Sequence, residues 1–341
     1  MPQIIVEDLV KTFQVAERTP GLAGAFRGLV KRSYRSIQAL AGINFVLQPG
    51  ELVGYIGPNG AGKSTTVKIL SGILVPTSGR CEINGLTPWL DRQRHVADIG
   101  VVFGQRTQLW WDLPVIESFD LLRDIYCIPA GRYEKSRDEL IDILDLAVLL
   151  DMPVRQLSLG QRMRCDLVAS LLHRPSILFL DEPTIGLDAV SKLAVREFIK
   201  RINREEGITV ILTTHDMDDI EALCDRIVVI GNGVIVSDGT LANLRHKLRG
   251  ERRLKIEFEG EPEFNEPDVR IVSREGRVLH LAYYPQAVAA TELIARITAR
   301  YRVKDFLMEH PPIEELIAQL YRDNDIDQSA ARTRRQTGLQ A

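Results

Sequence analysis

Runs of four or five apolar residues alternate with stretches in which apolar positions recur every three or four residues, and this rhythm organises most of the chain. Leu52, Val53, Tyr55 and Ile56 suit a buried strand, and Val67 and Leu70 suit the packed face of a helix over Thr66 to Leu70. Ile99 to Phe103, Ile177 to Leu180, Thr209 to Leu212 and Ile227 to Ile230 are strand-sized in the same way, and Arg162 to Leu172 and Ala189 to Arg204 have helical spacing. Strand and helix in alternation predict a largely parallel sheet. From Val115 onward Phe119, Leu122 and Tyr126 share one helical face, and Leu140, Ile141, Leu144 and Val148 share another, so a helical subdomain is expected there.

The two ends carry other textures. Ile4 to Phe13 alternates loosely and predicts an edge strand, with a second strand over Ile43 to Leu47. Between them, residues 14–36 place Leu22, Phe26, Leu29 and Val30 at helical spacing among Arg27, Lys31, Arg32 and Arg35. That pattern fits a basic amphipathic helix against headgroups or a membrane partner, or a solvated insertion, the latter slightly favoured. Ser78 to Arg80, Cys81 to Ile83 and the turn Asn84-Gly85 suggest a hairpin. Beyond about residue 245, Leu254, Ile256 and Phe258 alternate with charges, and Val269 to Tyr284 resembles a hairpin turning at Glu275-Gly276. A helix face through Ala290, Leu293, Ile294, Ile297 and Tyr301, a strand near Phe306 to Met308 and a helix over Ile313 to Tyr321 complete a small α+β unit over 250–322, followed by a polar tail, 323–341, expected to be disordered.

Composition narrows the function classes. Hydrophobic residues at 45% and charged residues at 26% suit a globular chain with one large domain and a smaller companion. A net charge of -3 supplies no global field to gather nucleic acid or anionic lipid, so no nucleic-acid partner is expected. Cys81, Cys127, Cys165 and Cys224 lie far apart and form no C-x-x-C pair, which points to reduced thiols rather than zinc or disulfides. No secretory signal is legible at Met1 to Lys11, and the apolar runs fall well short of a bilayer-spanning length.

The stretch Gly57, Pro58, Asn59, Gly60, Ala61, Gly62, Lys63, Ser64, Thr65 lies between the predicted strand and helix and fits G-x-x-x-x-G-K-[ST]. Its glycines let backbone N–H groups curl around phosphate oxygens, Lys63 adds charge, and Ser64 offers a hydroxyl to magnesium. The strand over Ile177 to Leu180 delivers Asp181 where a carboxylate would orient a magnesium shell, and Glu182 where one would polarise an attacking water. Alone, that pair is more often a solvated loop; downstream of a phosphate cradle the odds reverse. Ser158 is placed either as a simple helix N-cap or as a second phosphate contact. Phe13 is either an aromatic plate for an adenine or a strand-end core residue, and His215 alone is only a strand-end histidine.

Taken together, these motifs resemble the ATP-binding subunits of ABC transporters over roughly residues 3–245. Gly57 to Thr65 is similar to Walker A, Gln105 to the Q-loop glutamine, Leu157 to Gln161 to the signature, Ile177 to Glu182 to Walker B, Asp188 to the D-loop and His215 to the H-loop, in the family's order. The stretches Phe103 to Pro114 and Leu157 to Arg164 resemble a bacterial subgroup paired with ABC-2 type export permeases. Two departures stand out: Leu159 replaces the first of the usual two signature glycines, and Gly104 looks like a one-residue insertion before Gln105.

The resemblance implies an α/β fold: a P-loop NTPase (RecA-like) core in an ATP-binding domain over 1–245, with an antiparallel β subdomain and a helical subdomain at about 106–165. It implies a head-to-tail homodimer holding ATP and Mg2+ between one cradle and the other copy's Ser158, Gly160 and Gln161, with Asp188 also at the seam. Lys63, Ser64 and Thr65 would hold phosphates; Ser64, Gln105 and Asp181 would serve magnesium; Glu182 would be the general base and His215 would hold the γ-phosphate. The partner implied is an ABC-2 type permease at the cytoplasmic face of the inner membrane, with Trp110 and Trp111 either contacting it or packing within the subdomain. An importer ATPase, or a soluble ATPase acting on ribosomes or DNA, are the alternatives.

Overall fold

The computed structural model describes residues 1–16, 34–104, 106–247, 252–309 and 313–324. β1 (Ile4–Ala16) and β2 (Tyr34–Leu47) run longer than their apolar patterns suggest, because the ladder between them continues from Ile4↔Leu47 out to Ala16↔Tyr34. Residues 14–16 and 34–36 are therefore strand, and the helix expected through Leu22, Phe26, Leu29 and Val30 lies outside the described residues. β1 is also not an edge. Its other side pairs with β4 (Ser78–Ile83), making it the middle of a three-stranded antiparallel sheet. After β4 the chain reverses through Asn84 and Gly85, both at positive φ, and Ile83 N–H reaches Leu86 O at 2.8 Å.

β3 (Leu52–Ile56), β5 (Ile99–Phe103), β6 (Ile177–Asp181), β7 (Thr209–Thr213), β8 (Arg226–Gly231) and β9 (Val234–Thr240) form a second sheet in the order β5-β6-β7-β3-β8-β9. The pairs from β5 through β8 are parallel. Strands in such a sheet are covered on both faces, which is why they are uninterrupted apolar runs: Ile177 through Leu180 are wholly buried. Each such side chain contributes roughly 1.5–3 kcal/mol by leaving water. One core joins the two sheets, with Ile4, Leu40 and Phe45 packing in the same cluster as Tyr55, Val67, Phe179 and Val228.

Helices connect the strands: α1 (Lys63–Leu70), α2 (Arg92–Val96), α3 (Val115–Ile125), α4 (Ala130–Leu144), α5 (Leu159–Leu171), α6 (Ala189–Glu206) and α7 (Met217–Leu223). α6 shows how sequence sets the limits. Asp188 caps its first turn, Val195, Phe198, Ile199 and Ile202 bury one face, and Gly207 at φ +68° ends it. α5 starts three residues before the apolar spacing indicates, since Ser158 and Gln161 form a reciprocal capping box around its first turn.

Residues 1–238 and 239–341 are two compact units. The second holds α8 (Leu241–Lys247) and an antiparallel sheet in the order β11-β12-β10-β13, made by β10 (Arg252–Phe258), β11 (Val269–Glu275), β12 (Val278–Tyr283) and β13 (Val303–Glu309). α9 (Ala290–Arg300) buries Leu293 and Ile297 against Leu254, Ile256, Phe258 and Leu281. α10 (Ile313–Asp323) takes in the first residue assigned to the polar tail; residues 325–341 lie outside the described ones.

A buried carboxylate ties α5 to the loop after β5. Asp166 Oδ1 accepts from Thr107 Oγ1 at 2.9 Å and from Gln108 N at 3.0 Å, while Gln108 Nε2 donates to Asp166 O at 2.9 Å. Burial raises the Asp166 pKa to about 6, against the pull of those hydrogen bonds. A carboxyl whose folded pKa lies above its unfolded value takes up a proton on folding, so stability falls as pH rises from about 4 through 6. Asp166→Asn is expected to remove that fall, flattening the stability profile between pH 4.5 and 7.5 by about 2–3 kcal/mol in urea unfolding. An unchanged profile would contradict the buried, ionisable carboxyl.

Candidate functional site

The loop between β3 and α1 is held open by glycines at two tight positions. A Cβ on Gly57 would lie 2.3 Å from Ile230 O, and one on Gly62, at φ +115°, would lie 2.8 Å from Ala39 O. Gly60 faces open space on the same loop. Behind it, Ala41 N–H donates to Gly233 O and Gly233 N–H to Ala61 O, tying the loop to both sheets. Lys63 is buried to 7% exposure, and its ammonium donates to Gly57 O at 2.6 Å and Pro58 O at 3.2 Å. Burial lowers its pKa, while the charges of Glu182 and Asp181 act in the opposite sense, which places both carboxylates within electrostatic reach of the cradle.

Those carboxylates sit at the end of β6, in register with β7. Asp181 lies opposite Thr213, whose hydroxyl donates to Asp181 Oδ1. Glu182 N–H donates to Thr213 O at 2.8 Å, and Glu182 takes φ +56°, a left-handed conformation costing of order 1–3 kcal/mol for a residue with a side chain. The tight approach of Gly104 supports that turn: its N–H donates to Asp181 O at 2.7 Å, and a Cβ there would lie 2.0 Å from Glu182 O. The apparent insertion before Gln105 is thus a glycine required by the Glu182 backbone. His215, after β7, brings Nδ1 to 3.2 Å from Glu182 Oε1, with its ring 61% exposed.

The Ser158 region is elsewhere. Gln161 Oε1 accepts from Ser158 N–H at 2.8 Å and Gln161 N–H donates back to Ser158 Oγ at 3.2 Å. A Cβ on Gly160 would lie 2.5 Å from Ser191 Oγ, and one on Gly186 would lie 2.9 Å from Leu159 Cδ2, so the start of α5 packs against the start of α6. Asp188 accepts from Ser191 N–H and Ser191 Oγ; the backbone bond first, then the hydroxyl, hold its carboxyl below the usual range. Among the described residues no hydrogen bond or ion pair joins Ser158–Gln161 to residues 57–65. Cradle, Asp181, Glu182 and His215 come together; the Ser158 group does not join them.

Of the remaining sequence-derived positions, Gln105 lies outside the described residues. Phe13 is half-buried opposite Ile37, with Lys11 Nζ 5.2 Å from its ring centroid. Trp110 and Trp111 are exposed, and Arg162 of α5 stacks over Trp111 at 5.4 Å. Sequence reasoning passed over Thr213, Thr184, Arg196 and Asp219. A signal existed for Asp219: it shares the buried face of α7 with Ile220 and Leu223, where a carboxylate needs a partner.

The ABC transporter family profile matches residues 40–185. The linearmycin resistance ATP-binding protein LnrL of Bacillus subtilis is 30% identical over 305 residues, covering 85% of this chain and 96% of the relative. The methionine import ATP-binding protein MetN 2 of Enterococcus faecalis is 31% identical over 279 residues, 79% of this chain and 80% of that one. A solved dimeric ATP-binding cassette in a post-hydrolysis state with ADP and Pi bound matches with a TM-score of 0.58 at 27% identity, over 70% of this chain and 98% of its own. The phosphate cradle facing two ordered carboxylates and a match along nearly the whole of LnrL lead to one conclusion: this chain belongs to the ABC transporter ATP-binding proteins, as an ATP-binding ATPase subunit with the family's P-loop cassette fold.

Proposed function

We propose that the chain is the ATPase of an ABC-2 type exporter, in which two copies close head to tail on ATP and the closure drives a separate membrane-embedded permease. The observation that carries this reading is the half-site: Lys63, Asp181, Glu182 and His215 converge, while Ser158 to Gln161 stand apart on α5. A second copy's Ser158, Gly160 and Gln161 would complete the phosphate contacts, with Asp188 beside them. Differential affinity of ATP for open and closed dimers is what moves the permease between states.

Within one half-site, Gly57 to Thr65 would cradle the phosphates, with the Lys63 ammonium exchanging its loop carbonyls for phosphate oxygens. Phe13 would stack on the adenine. The Ser64 hydroxyl and the Asp181 carboxylate are hard oxygen donors of the kind magnesium takes in small number beside substrate phosphates, with Gln105 as the third candidate. Magnesium would supply charge neutralisation on the phosphates; the chain's own part is to hold Asp181 through Thr213 and to aim Glu182. Glu182 then polarises the attacking water, and His215, in contact with it, fixes its direction.

Residues 1–245 would be the ATP-binding domain and 250–322 an accessory unit for dimer contact or regulation. Among the described residues no helix is long and apolar enough to cross a membrane, so in this reading the permease holds the chain at the membrane's cytoplasmic face, against exposed Trp110 and Trp111. The near end-to-end alignment with a protein named for linearmycin resistance favours export, and the methionine import relative keeps import as the second reading.

Glu182→Gln is expected to lower steady-state phosphate release at least 100-fold while ATP affinity changes less than about threefold; near-normal release would refute the base assignment. Lys63→Ala should instead weaken ATP binding itself, read by titration calorimetry, and unchanged affinity would remove the cradle reading. Deleting the gene is expected to sensitise cells to a toxic compound that the exporter removes, with resistance restored by the wild-type chain and not by Glu182→Gln. Unaltered resistance together with lost nutrient uptake would replace export by import.

A further inference from the structure

The H-bonds of one wholly buried carboxylate join the two turns that carry Glu182 and His215. Asp219 on α7 has no exposure. Its Oδ1 accepts from Arg196 Nε of α6 at 2.6 Å, and Arg196 Nη2 lies 2.6 Å from the same oxygen as an ion pair. Its Oδ2 accepts from Thr184 Oγ1 and, at 3.3 Å, from Thr214 Oγ1. Thr184 follows Glu182 by two positions, in a turn where Ile185 N–H returns to Glu182 O. Thr214 immediately precedes His215, and its hydroxyl also receives Asp216 N–H at 3.0 Å. The same two helices meet again alongside: Lys192 pairs with Asp216 Oδ2, and Arg196 Nη2 lies 3.6 Å from Asp216 Oδ1.

We infer that Asp219, oriented by Arg196, is a positioning residue for ATP hydrolysis: through Thr184 and Thr214 it sets the spacing between Glu182 and His215. This rests on the reading of those two as the hydrolytic pair. Stability alone gives little reason for the arrangement, since a buried ion pair contributes about as much as well-packed apolar side chains of the same volume. Its distinctive property is direction. One carboxylate oxygen facing two hydroxyls fixes the turn after β6 relative to the turn after β7, and Arg196 fixes both relative to the helix that Asp188 begins. Misplacing a catalytic pair by about 1 Å costs on the order of 100-fold in rate.

The test uses the full chain with MgATP and reads single-turnover phosphate release, KM and ATP affinity. Thr184→Val and Thr214→Val remove one hydroxyl each and keep side-chain shape; Asp219→Asn removes the charge. Each is made in the wild-type and in the His215→Ala background, with thermal unfolding measured alongside. Each variant should lower the rate by about tenfold, with KM and ATP affinity within about twofold, and the loss should shrink to about twofold or less once His215 is absent, because groups acting as a unit are not additive. Normal rates in both threonine variants, or losses that multiply in full on His215→Ala, would overturn the inference while leaving the site reading intact. Wild-type rates in His215→Ala and Glu182→Gln would instead sink the site reading, and the inference with it. Should Asp219→Asn not fold, the two threonine variants decide.

Discussion

The pairing of β6 with β7 at their carboxyl ends governs the rest of the site. There Thr213 holds Asp181 with its hydroxyl and takes the Glu182 N–H on its carbonyl, so two neighbouring carboxylates leave the same strand end in different conformations. Asp181 stays extended in the ladder, and Glu182 turns into the left-handed region. The strain of that turn is borne by a buried sheet: Ile177 to Leu180 have no exposure, and β6 is hydrogen-bonded on both sides. A parallel sheet sends all of its strand ends to one side, which is why the Lys63 loop after β3 and the His215 turn after β7 arrive beside the carboxylates.

The start of α5 is organised on a different principle. Its capping box satisfies Ser158 and Gln161 within the first turn, and the absence of a Cβ at Gly160 lets Ser191 Oγ approach, so this group is packed on the start of α6 rather than on the cradle. Leu159, the departure from two signature glycines, packs over Gly186 in the same junction. Asp166, further along α5, fastens the helix to the loop after β5 through Thr107 and Gln108. One helix therefore carries both the phosphate-contact candidates and the tie to the segment bearing Trp110 and Trp111.

Much of this was readable before any fold was known. The β5 and β11–β12 spans, the parallel core, the small second sheet and the Ser158 cap follow from local causes: apolar runs, alternation, turn residues and side-chain capping act over a few positions and are written in those positions. The phosphate loop is equally local, since glycine spacing and the adjoining strand and helix make the cradle. The rest depended on pairing between distant segments. β1 has the irregular pattern of an edge, yet becomes central because β4 joins it from some 70 residues away. Gly104 looked like an insertion until its neighbour, the Glu182 carbonyl, was in place. Asp219 was not singled out at all; that Arg196, Thr184 and Thr214 surround it follows from packing α6 and α7 against the sheet. Sequence alone determined which glycines, lysine and carboxylates this chain carries on its phosphate loop and strand ends, because such groups are written in short local motifs. Tertiary structure alone decided which of them meet within a single copy, because only folded strands set the distance between residues far apart along the chain.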